Sequence, residues 1–422
     1  RIIEVADNVF VSVGFQVSTN SMIVGDDGVI IVDPGIAPPM AEKMLAAFRE
    51  ITDKPVKAII YTHGHGDHTN AASVFYTDGV EVWARSNYNS EPTLVRRNGY
   101  VGGVRSSNTQ GFDLPFEQRI GVGIGIPPRT RPALGNTLMA DGAEPAAPQP
   151  RPASIAPTHT FDGERQHLEI AGVRLELVKA PGETADQLYV WYPDKRVIFT
   201  GDNFYQSWPN TYPLRGTARR SVRDWVNSLT AMIQEQPETV VPGHTTPMQD
   251  ATVVLTNYRD ALKWVLDRTV EGARAKLTPD ELIEYTRLPE HLAELDYLQD
   301  YYGSRWGTVR DIYAQDLGWF DGDVLNLHRE SPAAQAERLA ALLGGVDALA
   351  EKSRDALAKG DHLGAAQLSD AWSTLESDNP EPWSILADAL FAIGEQTFNA
   401  PARNYTLSSA NRARTMAESL EE

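Results

Sequence analysis

The sequence contains no cysteine. That excludes disulfides, thiol nucleophiles and thiolate metal sites, so any metal must be held by His, Asp or Glu, donors that suit zinc. No apolar run is long enough to span a bilayer. Basic residues are scarce: 38 Lys and Arg stand against 57 Asp and Glu, a net charge of −19. Such a chain is poorly suited to nucleic acid, and an anionic substrate would need its own local arginine or metal. The opening "RIIEVADNVF" has neither an initiator Met nor a basic-then-apolar leader, which reads as a trimmed start. Acidity without cysteine fits a periplasmic or secreted protein.

At 422 residues, with 42% apolar and 23% charged residues, the composition is that of a globular chain with more than one domain. Residues 8–34 read as short β-branched strands, with a hairpin turn at Asp27-Gly28. "APPMAEKMLAAFREI" predicts an amphipathic helix with Met44, Leu45, Phe48 and Ile51 on one face. "VKAIIYT" is a buried strand, and the alternation is that of a layered α/β domain. Residues 121–160, rich in Pro, Gly and Ala, predict a long irregular excursion. Strands resume near 168, a helix is expected over 221–235, and after residue 262 the pattern is wholly helical. These readings place one domain over 1–262 and a second over 263–422. Within the latter, Leu368, Trp372 and Leu375, then Leu386, Leu390 and Ile393, predict a tetratricopeptide-like helix pair ending at Gly394.

What is present in excess is histidine in one place. The chain has nine histidines, and three of them fall in "YTHGHGDHTN", directly after a buried strand. His63, His65 and His68 with Asp67 make an H-x-H-x-D-H pattern at a strand's carboxyl end, where α/β proteins build their sites. Gly64 and Gly66 are expected to let the backbone turn tightly enough for the side chains to converge.

This pattern resembles the metallo-β-lactamase superfamily, which implies an αββα sandwich. By that resemblance His63 and His65 are ligands of one zinc, and Asp67 and His68 of a second. Asp202 in "TGDN" takes the position of the bridging carboxylate, and His244 in "VVPGH" that of the last ligand. Where most of the superfamily has a Pro-Gly-His-Thr turn, this chain reads "APGETADQ" and places Glu183 as the third ligand of the first zinc. Two zinc ions would bring four positive charges against three negative ones from Asp67, Glu183 and Asp202.

A glutamate in that turn resembles the alkyl sulfatases of this fold. So do "RSSNTQGFDLPFEQRIGVGIG", "LRGT", "YYGSRWGTVRDIYAQDLGWFDG", "LAKGDHLGAAQLSD" and "PARNYTLSSA", which together span nearly the whole chain. The resemblance implies hydrolysis of alkyl, or aryl, sulfate esters to alcohol and sulfate by a metal-activated water, with two zinc ions per chain. It implies a helical dimerisation domain, hence a homodimer, in a short form without the family's C-terminal sterol-carrier-like domain. Asp67, Asp202 and Arg215 would be the catalytic residues. Arg215 would anchor the sulfate, since a guanidinium fork matches an oxyanion. Asn210 and Tyr212 are further donors, Arg219 and Arg220 alternatives to Arg215, and Tyr205 and Trp208 either pocket lining or packing. Two features depart from the family pattern. The bridging residue is Asp202 rather than glutamate, and the histidines before Leu-Arg-Gly are replaced by Gln206 and Pro209. A lactonase or phosphodiesterase on the same metals, and a non-catalytic scaffold, are the competing readings.

Overall fold

The computed structural model describes residues 1–90, 105–115, 118–122 and 154–422. Two sheets form its centre. The first has seven strands in neighbour order Ile2–Ala6 (β1), Val9–Ser12 (β2), Asn20–Val24 (β3), Val29–Val32 (β4), Val56–Ile60 (β5), Glu81–Arg85 (β6) and His159–Phe161 (β7). The second has six: Arg165–Ile170 (β8), Val173–Lys179 (β9), Leu188–Tyr192 (β10), Val197–Phe199 (β11), Thr239–Val241 (β12) and Met248–Gln249 (β13). Strands β4 to β7 run parallel, as do β11 and β12, and the other pairs are antiparallel.

Side-chain alternation makes these sheets into layers. In β4, Ile30 and Val32 face a core shared with Leu175, Leu177, Val190 and Phe199 of the second sheet. Val29 and Ile31 face the other way, under Ala41, Met44 and Phe48 of the helix Pro38–Arg49. In β11, Phe199 points between the sheets, while Ile198 packs with Trp225, Leu229 and Met232 of the helix Val222–Gln234. Helix, sheet, sheet, helix is the αββα order that the histidine pattern led us to expect. Each fully buried side chain of the size of Phe48 contributes about 2 kcal/mol of transfer free energy. The first helix stops at Arg49, so Ile51 lies beyond it and is 40% exposed rather than part of the buried face.

The described residues within 1–101, 122–213 and 217–318 cluster into one compact unit, and those within 102–121, 214–216 and 319–422 into another. Residue 262, the boundary read from the change of pattern, lies inside the continuous helix Ala251–Arg274. Leu255, Tyr258, Leu262 and Val265 of that helix share the core beneath the second sheet, as do Val309 and Ile312 of the helix Arg305–Leu317. These helices are a layer of the sandwich, which is why a switch from strand to helix did not mark a change of unit. Of the expected Pro/Gly-rich loop, residues 123–153 lie outside the described residues.

The second unit holds the predicted helix pair as His362–Leu375 and Pro380–Gln396. Trp372, Leu386 and Ile385 are in its core. Gly394 does not end the second helix. A Cβ there would lie 2.6 Å from Leu407 Cδ2, so this glycine makes room for the helix Ala400–Glu421.

Candidate metal centre

The candidate ligands sit at carboxyl ends of strands in both sheets. β5 leads through Tyr61 and Thr62 to His63, β11 leads to Asp202, and β12 leads to His244. The edge of the second sheet is tied to this loop where the Leu188 amide donates to the Thr62 carbonyl at 2.8 Å. His65 caps the short helix Gly66–Thr69, which carries Asp67 and His68. Neither Gly64 nor Gly66 has a positive φ; what they provide is space. A Cβ on Gly64 would sit 2.8 Å from Asp186 Oδ2 and 3.0 Å from the backbone of Asn89. Gly243 does the same for the neighbouring ligand, since its Cβ would fall 2.1 Å from Asp202 Oδ1.

Two groups of donors result, each with its ligand atoms within 4.8 Å of one another: Asp67, His68, Asp202 and His244 in one, and His63, His65 and Asp202 in the other. Asp202 belongs to both. Its Oδ1 lies 3.2 Å from His68 Nε2, and its Oδ2 lies 3.2 Å from His244 Nε2 and 3.8 Å from His63 Nε2. Asp67 Oδ2 closes the first group at 3.5 Å from His244 Nε2 and 3.7 Å from His68 Nε2. Ligands about 2.0–2.1 Å from a tetrahedral zinc are about 3.3 Å from each other, so these spacings fit such an ion. The Nε2 atoms of His63 and His68 and the Asp202 Oδ1 are buried without a hydrogen-bond partner, as expected of groups that await a cation rather than a proton donor.

Second partners fix which ring nitrogen is offered. His244 Nδ1–H donates to the Val17 carbonyl at 2.7 Å, and His68 Nδ1–H donates to Asp33 Oδ2 at 2.8 Å. The Thr62 hydroxyl donates to the same Asp33 oxygen at 2.7 Å, so it accepts from His63 Nδ1–H at 3.0 Å. All three imidazoles thus keep the Nε2 lone pair for a metal. Burial, with His68 next, holds His63 well below the usual histidine range, so it is neutral. Burial works to raise the Asp202 carboxyl, but the facing His244 and His68 outweigh it and hold it well below the ordinary carboxylate range. The field that draws protons onto these imidazoles draws a divalent cation equally, and metal binding displaces the protons.

Glu183 lies outside both groups. It is buried, with Oε1 3.7 Å from His65 Nδ1 and Oε2 2.5 Å from Arg220 Nη1. Arg220, read as an alternative sulfate anchor, is completely buried and faces this carboxylate. Arg215 belongs to the second compact unit, where it is half-buried and its Nη1 donates to the Gly216 carbonyl at 3.3 Å. Arg219 is exposed beside Asp316. The Asn210 amide donates to the Tyr205 hydroxyl at 2.8 Å, and its carbonyl accepts from Arg220. The Tyr212 hydroxyl shares a hydrogen bond with Ser304, and its ring lies over Gly307, so it secures a turn rather than facing open space. Trp208 is fully buried and donates to Thr308 Oγ1 at 2.9 Å, which makes it packing; Tyr205 is also buried, its ring edge-on to His244 at 5.9 Å.

Asp33 escaped the sequence reading. It is buried and accepts from the Thr62 amide, the Thr62 hydroxyl and His68. Its φ of 55° is left-handed, a conformation uncommon for non-glycine residues though more accessible to Asp and Asn. The signal was an acid placed directly after the "VIIV" strand, at the same sheet edge as the histidines.

The description "Metallo-beta-lactamase superfamily" matches residues 14–87 and 114–244, and "Alkyl sulfatase dimerisation" matches 278–416. A linear primary-alkylsulfatase of a Pseudomonas strain is 35% identical over 92% of this chain and 72% of its own length. An (R)-specific secondary-alkylsulfatase, also from Pseudomonas, is 26% identical over 95% of this chain and 60% of its own length. A solved structure of a double mutant of the sec-alkyl sulfatase PisA1 matches over 98% of this chain and 65% of that one, with a TM-score of 0.82 at 24% identity. Among the described residues no helix is long and apolar enough to cross a membrane. The fold and the two His/Asp groups suggest a divalent-metal centre, and with the 35% relative the chain belongs to the alkylsulfatases of the metallo-β-lactamase superfamily, a family of sulfuric ester hydrolases.

Proposed function

We propose that the chain is a two-zinc hydrolase of linear alkyl sulfate esters, adding water across the ester to release an alcohol and hydrogen sulfate. The observation that carries this is the pair of donor groups sharing Asp202. The name of the 35% identical relative supports primary alkyl esters as the substrate class. His63, His65 and Glu183 would hold one zinc, Asp67, His68 and His244 the other, and Asp202 both. Bound zinc supplies a Lewis acid and a water whose pKa is brought to about 7. The chain's own part is to hold seven neutral or anionic donors rigidly, and to orient the ester so that water approaches in line.

Arg215 is the group we assign to the sulfate, as a bidentate donor. A hydrogen bond to a charged group is worth about 1.5–3 kcal/mol, so Arg215→Ala is expected to lower kcat/KM about 10- to 100-fold, mainly through KM. Steady-state kinetics on dodecyl sulfate checks this. A hydrolysis screen over primary, secondary and aryl sulfates tests the function as a whole. Activity on a lactone or phosphodiester alone, with zinc bound, would overturn it. Reaction in oxygen-18 water separates attack at carbon, which labels the alcohol, from attack at sulfur, which labels the sulfate.

We further infer a homodimer. Its support is the dimerisation description over 278–416 and an exposed apolar stretch: Trp319 is 79% exposed and Leu325 72%, with Val324 and Leu327 beside them. Apolar clusters of this kind on a surface mark contacts with another chain. Changing Trp319→Asp together with Leu325→Asp is expected to halve the mass measured by size-exclusion chromatography with light scattering. An unchanged mass would place the contact elsewhere.

A further inference from the structure

We propose that Arg220 is a positioning residue whose guanidinium offsets the charge of Glu183 and fixes that carboxylate toward the metal centre. The inference rests on the reading of Glu183 as a metal ligand, and goes beyond it. At the position where most of the metallo-β-lactamase superfamily carries a neutral imidazole, this chain buries a carboxylate that is 4% exposed. A buried charge without a counter-charge costs several kcal/mol. Arg220 is fully buried, and its Nη1 lies 2.5 Å from Glu183 Oε2 and 2.5 Å from the Asn210 carbonyl. One guanidinium nitrogen therefore joins the carboxylate at 183 to the loop that follows Asp202.

Arg220 is held from both sides of its own backbone. Its carbonyl accepts from Gln315 Nε2 at 2.9 Å, and the next residue, Ser221, caps the helix Val222–Gln234. That helix is fixed under the second sheet, where Trp225 Nε1 donates to the Asn203 carbonyl at 3.0 Å, one residue from Asp202. Asn203 in turn accepts from the Glu183 amide at 3.0 Å through its side chain. Backbone and carboxylate of Glu183 are thus both set by a single rigid assembly, the requirement for a ligand placed to within a fraction of an ångström. Arg220 also restores the charge balance of a histidine site. The extra negative charge of Glu183 is offset from behind, so the metals keep their attraction for an anionic ester.

The consequence is a dependence on which residue stands at 183. With glutamate, Arg220→Met is expected to weaken zinc binding about 10- to 100-fold, the usual loss when the partner of a ligand is removed. In the Glu183→His background the same change is expected to alter zinc affinity by no more than about twofold, because no carboxylate remains to be balanced. The readout is zinc competition against a chromophoric chelator, with thermal melts as the control for folding. Arg220→Lys should retain part of the affinity, since an ammonium supplies the charge but not the planar fork; it is the deciding variant if Arg220→Met does not fold. An equal loss in both backgrounds would overturn the proposal. So would unchanged affinity with a raised KM, which would make Arg220 a direct sulfate anchor. Glu183→Gln is the separate control: if it leaves zinc affinity unchanged, the assignment of Glu183 as a ligand fails, whatever Arg220 does.

Discussion

Asp202→Asn is expected to lower kcat/KM on alkyl sulfates by about three orders of magnitude, equivalent to about 4 kcal/mol of barrier, the scale of a lost metal contribution. Asp202 is the one residue common to both donor groups. Its two oxygens face different imidazoles, Oδ1 toward His68 and Oδ2 toward His63 and His244. Asparagine keeps the shape but removes the charge, and it turns an NH2 donor toward either His68 or the His63–His244 pair. In either orientation the NH2 cannot ligate a metal, so one group must lose its shared ligand. The loss should appear in kcat and in zinc content together, with fewer than two zinc per chain by elemental analysis. Activity within tenfold of the parent, with both metals retained, would show that the two groups do not act as one centre. Dialysis against a chelator should give the same loss in the parent, reversed by added zinc.

Six of the seven candidate ligands, all but Glu183, fall in the two donor groups, and they were readable because they stand behind strands in recognisable local frames. His63, His65, Asp67 and His68 are compact enough to be seen as a unit, and Asp202 and His244 stand behind "VIFTGD" and "VVPGH". The sheet layers were readable for a related reason: apolar runs such as "GVIIVD" leave no choice but burial on both faces, as Ile30 and Ile31 in opposite cores confirm. What escaped was pairing over long separation. Asp33 meets His68 across 35 residues, and no local pattern in either stretch announces the other. Arg220 was visible as an arginine near Leu-Arg-Gly, but its burial against Glu183 depends on how helix Val222–Gln234 docks. Tyr212 was read as a further donor beside Asn210; the close approach of Gly307 to its ring comes from a segment far along the chain. Side chains announce their chemistry, whereas their direction is decided by packing.

Asp33 gives the second large effect, and two substitutions there should separate fold from chemistry. The carboxylate is 2% exposed and accepts three hydrogen bonds, from the Thr62 amide at 2.8 Å, the Thr62 hydroxyl at 2.7 Å and His68 Nδ1 at 2.8 Å. Asp33→Ala leaves these donors buried and unmet, at about 1–3 kcal/mol each, so a loss on the order of 4 kcal/mol is expected by denaturant unfolding of the metal-free protein. Asp33→Asn is nearly isosteric and can still accept from Thr62 through its carbonyl. Its NH2 would then face His68 Nδ1, which must give up its proton to accept, and the proton moves to Nε2. That tautomer cannot bind a metal through Nε2. Stability of Asp33→Asn should therefore fall by much less than that of the alanine variant, while zinc affinity and kcat/KM fall about 10- to 100-fold. The order of the two variants is the critical result: if asparagine binds zinc like the parent, Asp33 is an ordinary core hydrogen-bond acceptor and does not set the His68 tautomer.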